Sequence, residues 1–271
     1  MFDPGRTLTL PALQAMRTHA EKIVALTAYD ASFARLLDAA GIDVILVGDS
    51  LGMVIQGHET TLPVTVADMV YHTRAVSSAV NRAVVVADMP YLSYGSRTQA
   101  LVTAAGLIRV GAQMVKLEGA SRQRLGIIEA LVDQNVPVCG HLGLLPQSVY
   151  RMGGFIMQGR DASAARRMLD DALMLQQAGV SLLILEGIPA QLATEITQAL
   201  TIPTLGIGAG PGCSGQILVL YDLLGITPGK KPRFAKNYLA EGAESIGAAI
   251  ERYAVEVRSG CFPAPEHWIQ A

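Results

Sequence analysis

The sequence predicts an α/β protein folded as a closed (β/α)8 TIM barrel, and three observations carry that prediction. Eight apolar segments of strand length recur along the 271 residues, most of them separated by segments with helical spacing. Three stretches, 40–49 (AGIDVILVGD), 110–119 (VGAQMVKLEG) and 178–187 (AGVSLLILEG), superpose as a helix end, a glycine, then an apolar strand closing in an acid. The strands are continuous runs of Val, Ile and Leu, the pattern of a parallel sheet covered on both faces. A doubly wound open sheet is the structural alternative, and eight repeats point to closure. No Pro/Ser-rich linker or shift in composition divides the chain, so residues 1–271 read as one barrel domain with a short N-terminal extension over about residues 1–20.

The strands are expected at 23–27, 44–47, 83–87, 114–117, 136–140, 182–185, 203–207 and, less clearly, 216–221. Between them, Phe33, Leu36, Leu37 and Ala40 mark one helix, and Met168, Leu169, Ala172, Leu173, Leu175 and Gln176 another. Thr65 followed by Asp68 reads as a capping box, and Thr98 as the cap of a helix over 99–110. Gly41, Gly111 and Gly179 stand just past helix ends, where the left-handed residue that closes a helix is easiest for glycine.

Composition removes several function classes. Hydrophobic residues make up 51% and charged residues only 16%, against about 25% charged in an ordinary domain, so much of the chain belongs in a core or an interface. Net charge is −2 and no block of five like charges occurs, which argues against a nucleic-acid or membrane-surface role. The apolar runs fall far short of the roughly 18 residues of a membrane span, and the first residues lack the pattern of a secretory signal. A cytoplasmic address is the expectation. Cys139, Cys213 and Cys261 are odd in number and far apart, so they read as thiols rather than a disulfide or zinc framework.

The chemistry is suggested by position. Polar residues interrupt the apolar strands at their carboxyl ends: Asp49 after the second strand, Asp88 after the third, Lys116 and Glu118 on the fourth, His141 on the fifth and Glu186 on the sixth. In a barrel that end carries the active site. Lys116 and Glu118 are two apart, so both project to one side of a strand. Each residue also has a plainer reading: an Asp after a strand often caps a helix or forms a turn, Lys116 could simply pair with Glu118, and His141 could be a satisfied core histidine. Several acids, a lysine and a histidine converging on one rim are hard to explain as scaffold. Their oxygen-rich, sulfur-poor donors suit Mg2+ rather than zinc, and His19, His58, His72, His141 and His267 show no zinc spacing. An acid left over by the metal can act as base where its surroundings are apolar. Glu186, on the most apolar of these strands, is the candidate. The glycine run 206–212 (GIGAGPG) is either a loop allowing close approach of a ligand or a tight turn, and it is neither a dinucleotide fingerprint nor a P-loop.

These segments resemble a known family. The stretches 27–65, 85–91 (VVADMPY), 111–119 (GAQMVKLEG), 136–149 (VPVCGHLGLLPQSV), 153–160 (GGFIMQGR), 184–189 (ILEGIP), 215–226 and 232–238 (PRFAKNY) are similar to ketopantoate hydroxymethyltransferases, and the similarity runs from about residue 20 to 262. The resemblance implies a Mg2+-dependent (β/α)8 barrel of the phosphoenolpyruvate-mutase-like superfamily, assembled as a large homo-oligomer, a decamer built of pentamers. It also implies transfer of a one-carbon unit from the cosubstrate 5,10-methylenetetrahydrofolate to the small-molecule 2-oxo acid 3-methyl-2-oxobutanoate. By motif, Asp49, Asp88 and Glu118 match metal-binding positions, Asp49, Ser50, Asp88, Lys116 and His141 substrate-binding ones, and Glu186 the catalytic base. Ile156 stands where many relatives carry lysine, which bears on the folate contact. A related 2-oxo acid lyase or mutase and a non-catalytic metabolite-binding barrel are the competing readings. The first usually carries a reactive cysteine in a loop, whereas Cys139 is expected within a strand.

Overall fold

The computed structural model of the chain describes residues 7–227, 229 and 231–268. Eight parallel strands close on themselves in sequence order: β1 (Ile23–Thr27), β2 (Val44–Val47), β3 (Val84–Asp88), β4 (Met114–Glu118), β5 (Val138–Gly143), β6 (Leu182–Glu186), β7 (Thr204–Ile207) and β8 (Gly215–Leu218). Closure is made by β8 lying beside β1, with Gly215 opposite Ile23 and Leu218 opposite Leu26. Every residue of every strand is buried except one, Glu186 at the end of β6.

The described helices are α1 (Leu10–Thr18), α2 (Ala31–Ala39), α3 (Leu51–Val54), α4 (Val66–Ser77), α5 (Arg97–Arg109), α6 (Arg122–Asp133), α7 (Val149–Met152), α8 (Ala162–Gln177), α9 (Ala190–Ala199), α10 (Leu220–Leu224) and α11 (Ile246–Ser259). They surround the barrel and bury one stripe each; α11 lays Tyr253 against β1, its hydroxyl donating to the Ala25 carbonyl at 3.0 Å. Helix α1 precedes the barrel and Gln14 donates to the Thr201 carbonyl at 2.6 Å, at the end opposite the strands' carboxyl termini. Among the described residues no helix is long and apolar enough to cross a membrane.

The capping box on α4 is present in both directions, and Gly41, Gly111 and Gly179 have φ of 80°, 108° and 99°, the left-handed closure expected of them. Several boundaries differ from the expected ones, and four of these have clear local reasons. The cap of α5 is Ser96, not Thr98: Ser96 is extended and its hydroxyl accepts from the Gln99 N–H. Strand β5 starts at Val138 because the Val136 N–H still closes α6 on the Leu131 carbonyl, and β7 starts after Pro203, which has no N–H to give a ladder. The expected strand 216–221 stops at Leu218, since the Leu220 N–H turns to the Thr27 hydroxyl at 3.0 Å and α10 begins there. On α2 the buried face is Ala34 and Leu37, while Leu36 is 42% exposed.

Candidate active site

The polar residues singled out by position meet above the carboxyl ends of β2 to β6, and strand register decides which meet. Asp88 lies opposite Lys116, Glu118 opposite His141, and Glu186 opposite Gly143. Lys116 and Glu118 both project into the mouth, as their spacing requires. Lys116 Nζ is 2.5 Å from Asp88 Oδ1. Glu118 Oε1 is 3.6 Å from His141 Nδ1, and His141 Nε2 is 3.3 Å from Glu186 Oε2 on the other side of the ring. Asp49 joins them by donating its backbone N–H to Asp88 Oδ2 at 2.9 Å. Ser50 is placed at the same rim by Tyr29, whose hydroxyl lies 2.8 Å from its Oγ.

Within this cluster negative charge is in excess, and the titrations follow from that. Burial, with Asp88 and Glu118 close by, raises the Asp49 carboxyl well above the usual carboxylate range. Burial opposes the charge on Lys116, but Asp88, Glu118 and Asp49 outweigh it and push the ammonium upward. Burial likewise disfavours the His141 imidazolium, yet the flanking Glu118 and Glu186 raise it to about 9. Neither ring nitrogen of His141 nor Glu118 Oε1 makes a hydrogen bond, so the row Glu118, His141, Glu186 is held by charge and leaves polar atoms unspent. Such buried orphans are rare in scaffold and mark places where something else binds.

Two residues that sequence reasoning missed complete the site. Gln147, in the turn Pro146–Ser148 after β5, reaches across the mouth and donates from Nε2 to Asp49 Oδ2 at 2.8 Å and to the Met89 carbonyl at 3.0 Å. Its backbone N–H donates to Glu118 Oε2 at 3.1 Å. Tyr94, from the loop after β3, donates its hydroxyl to Gln147 Oε1. The only signal available was an amide inside an otherwise apolar stretch after a strand. Gly143 is needed where it stands: its φ is +98°, and a Cβ there would lie 2.1 Å from the Glu186 carbonyl oxygen, which the Leu144 N–H holds at 2.8 Å.

Other expectations resolve differently. Gly210 and Gly212 of the 206–212 run serve close packing: a Cβ on Gly210 would meet Ala190 Cβ at 2.4 Å, and one on Gly212 would meet Thr194 Oγ1 at 2.0 Å. Gly208, at φ +61°, lines the cavity beside Gly187. Cys139 is fully buried in β5 and burial pushes its thiol up to about 12, the opposite of a reactive loop cysteine. Ile156 is 47% exposed. Glu186 does not stand in a purely apolar pocket, since the His141 ring faces it.

A hard divalent cation fits this donor set. Asp49, Asp88 and Glu118 supply oxygen ligands, Glu118 Oε1 is an orphaned acceptor, and two positive charges would offset the excess of carboxylate. Among the described residues no three acidic, His or Cys side chains already form a closed metal cluster, so the acids would have to draw in around the ion.

The fold and the site together define a (β/α)8 barrel with a carboxylate- and lysine-lined mouth. Phosphoenolpyruvate phosphomutase from Streptomyces platensis subsp. rosaceus superposes with a TM-score of 0.61 at 16% identity, covering 80% of this chain and 83% of that one. A 2,3-dimethylmalate lyase, a member of the PEP mutase/isocitrate lyase superfamily, gives 0.58 at 19% identity, covering 77% and 80%; these likenesses speak for the fold alone. Sequence likeness is closer. The 3-methyl-2-oxobutanoate hydroxymethyltransferase of Burkholderia multivorans is 54% identical over 260 residues, 96% of this chain and 95% of that protein. The enzyme of that name from Shewanella loihica is 54% identical, covering 96% and 98%. Residues 7–265 match the family model of ketopantoate hydroxymethyltransferase, and the chain belongs to that family.

Proposed function

We propose that the protein transfers a hydroxymethyl group from 5,10-methylenetetrahydrofolate to 3-methyl-2-oxobutanoate, giving 2-dehydropantoate for pantothenate biosynthesis. The acceptor is the one for which the Burkholderia and Shewanella relatives are named. The observation that carries the chemistry is that Glu186 is the one strand residue left partly open, at the end of a row of buried charge.

Glu186 takes the C3 proton of the 2-oxo acid, and the electrons of that C–H bond become the enolate. Water adds to the folate-borne methylene carbon and both of its C–N bonds break, so that tetrahydrofolate leaves with two hydrogens on its nitrogens. The enolate carbon bonds to the one-carbon carbonyl so released, and the proton held by Glu186 passes to its oxygen. His141, 3.3 Å from Glu186, orients that carboxylate, and the flanking acids favour its protonated ring, which suits it to that task rather than to taking the substrate proton. Lys116 offsets negative charge on the substrate. A Schiff base at Lys116 is disfavoured, because its acidic neighbours hold it as ammonium and imine formation needs the free amine. Mg2+, held by Asp49, Asp88 and Glu118, would supply Lewis-acid polarisation of the 2-oxo carbonyl. Beside Gly187, a cavity of about 120 Å³ lined by Phe155, Phe234, Trp268 and Arg233 offers aromatic faces and one cation to the flat, acidic end of a cosubstrate such as the folate. The reading carries with it a cytoplasmic address and a homo-oligomer, a decamer. Tyr71 on α4 and Val102 on α5, 70% and 69% exposed, are candidates for its interfaces.

Proton NMR of the protein with Mg2+, the 2-oxo acid and 5,10-methylenetetrahydrofolate tests this. Appearance of the 2-dehydropantoate hydroxymethylene signal, abolished by EDTA, is expected; an unchanged 2-oxo acid spectrum overturns it.

A further inference from the structure

Gln147 occupies a place that the proposed reaction does not explain. It spans the mouth from the β5 side to an aspartate 98 positions away in sequence, and its side chain has no freedom of orientation. The Asp49 carboxyl and the Met89 carbonyl both face Nε2, the carbonyl of Met89 can only accept a bond from it, and the Tyr94 hydroxyl donates to Oε1. Turning the amide over would set oxygen against oxygen at Met89. Gln147 is 7% exposed and Tyr94 1%, so water is a poor substitute for either partner.

The pattern of bonds around the two acids is selective. Gln147 takes one oxygen of Asp49, Oδ2, through its side chain and one oxygen of Glu118, Oε2, through its backbone N–H. Among the described residues nothing hydrogen-bonds the other oxygen of either acid; Glu118 Oε1 is buried with only the His141 ring, 3.6 Å away, facing it. Tyr94 is fixed in turn: it accepts from the Glu118 N–H at 3.4 Å, and the Arg124 guanidinium lies 4.1 Å over its ring. The segments after β2, β3 and β5 are thereby tied through one side-chain amide, and the end of β4 through the backbone N–H of the same residue.

We infer that Gln147, locked by Tyr94, is a positioning residue for the divalent cation: it holds one oxygen on each of Asp49 and Glu118 so that the other oxygen of each is presented to the ion. The inference rests on the metal reading above and goes beyond it, since it assigns a role to two residues that are not ligands. Partners that hold ligating carboxylates in place are commonly worth roughly 10- to 100-fold in metal affinity.

The test is a Mn2+ titration of the full chain, read by EPR of the free aquo ion, with no 2-oxo acid present. Gln147→Leu keeps most of the volume and removes the hydrogen bonds; Mn2+ binding should weaken roughly 10- to 100-fold. Tyr94→Phe removes one hydroxyl, keeps the ring under Arg124, and should weaken binding by a smaller factor. In the double variant Tyr94→Phe should add nothing, because the hydroxyl then has no amide to lock. A general loss of structure would instead give penalties of the same size in both backgrounds. If Gln147→Leu is not recovered folded, Tyr94→Phe against the unaltered chain decides. Undiminished affinity in the single variants, or additive penalties, overturns the inference while leaving the metal reading standing. Failure of the unaltered chain to bind Mn2+ overturns both.

Discussion

Asp43 and Asp49 bracket the same strand, β2, and both are buried, yet they live in opposite electrostatic worlds. At the amino end Asp43 accepts from the Val24 N–H at 2.9 Å and pairs with Arg82 at 2.7 Å and Arg258 at 3.0 Å. Its charge is met by two guanidinium groups and a backbone donor. At the carboxyl end Asp49 has an amide for company, two further acids nearby, and a single lysine bound to one of those acids. A buried acid whose partners balance it is holding the barrel shut. One whose partners fall short is waiting for a ligand, because leaving charge unmatched in a dry place is costly unless something repays it.

That contrast predicts that damage at the two ends reads out in different assays. Glu186→Gln should lower exchange of the substrate C3 hydrogen by roughly 100- to 10,000-fold, the usual worth of a positioned base, while leaving calorimetric binding of the 2-oxo acid intact. Normal exchange in that variant would move the base elsewhere. Asp43→Ala should cost about 3–5 kcal/mol in urea unfolding, since two buried or half-buried arginines lose their shared acceptor, with exchange per folded molecule unchanged. If it instead abolished exchange at unaltered stability, the division between the two ends would collapse. Asp49→Asn should lose Mn2+ binding but leave the cation-free protein at least as stable, by up to about 1 kcal/mol, because a crowded negative charge is removed; a marked fall in Tm would show Asp49 to be scaffold.

The smallest effect is a titration. In cation-free protein the His141 ring should titrate near 9 by NMR, and Glu186→Gln should bring it down by removing one flanking carboxylate. The native state keeps this proton to about 9, while the unfolded chain releases it near 6.5. Below about 6.5 its contribution to stability is therefore complete, and it fades as pH rises through 9. A midpoint at or below 6.5 would remove the charged row from the account.

What could be read without coordinates was whatever the strand period exposes. Asp88, Glu118 and Glu186 stood out as acids ending apolar runs, and the structure makes each the last residue of its strand. Asp43 is as buried as any of them but stands just before its strand, at the amino end, where the sequence drew no attention to it. Gln147 and Tyr94 were invisible for a physical reason: their roles are set by contacts between loops 53 to 98 residues apart, and no local spacing encodes those. The glycine run 206–212 left two readings open, and the structure divides it: Gly210 and Gly212 are held small by Ala190 and Thr194 on α9, while Gly208 lines the cavity beside Gly187.

The central claim is that the carboxyl end of this barrel is an enolising site whose base works independently of the one-carbon donor. It is tested most directly by incubating the unaltered protein with Mg2+ and 3-methyl-2-oxobutanoate in D2O, without folate, and following the C3–H signal by proton NMR. Loss of that signal at a rate proportional to enzyme, and halted by EDTA, is the predicted result; a C3–H signal that persists with folded, Mg2+-loaded protein would contradict the account.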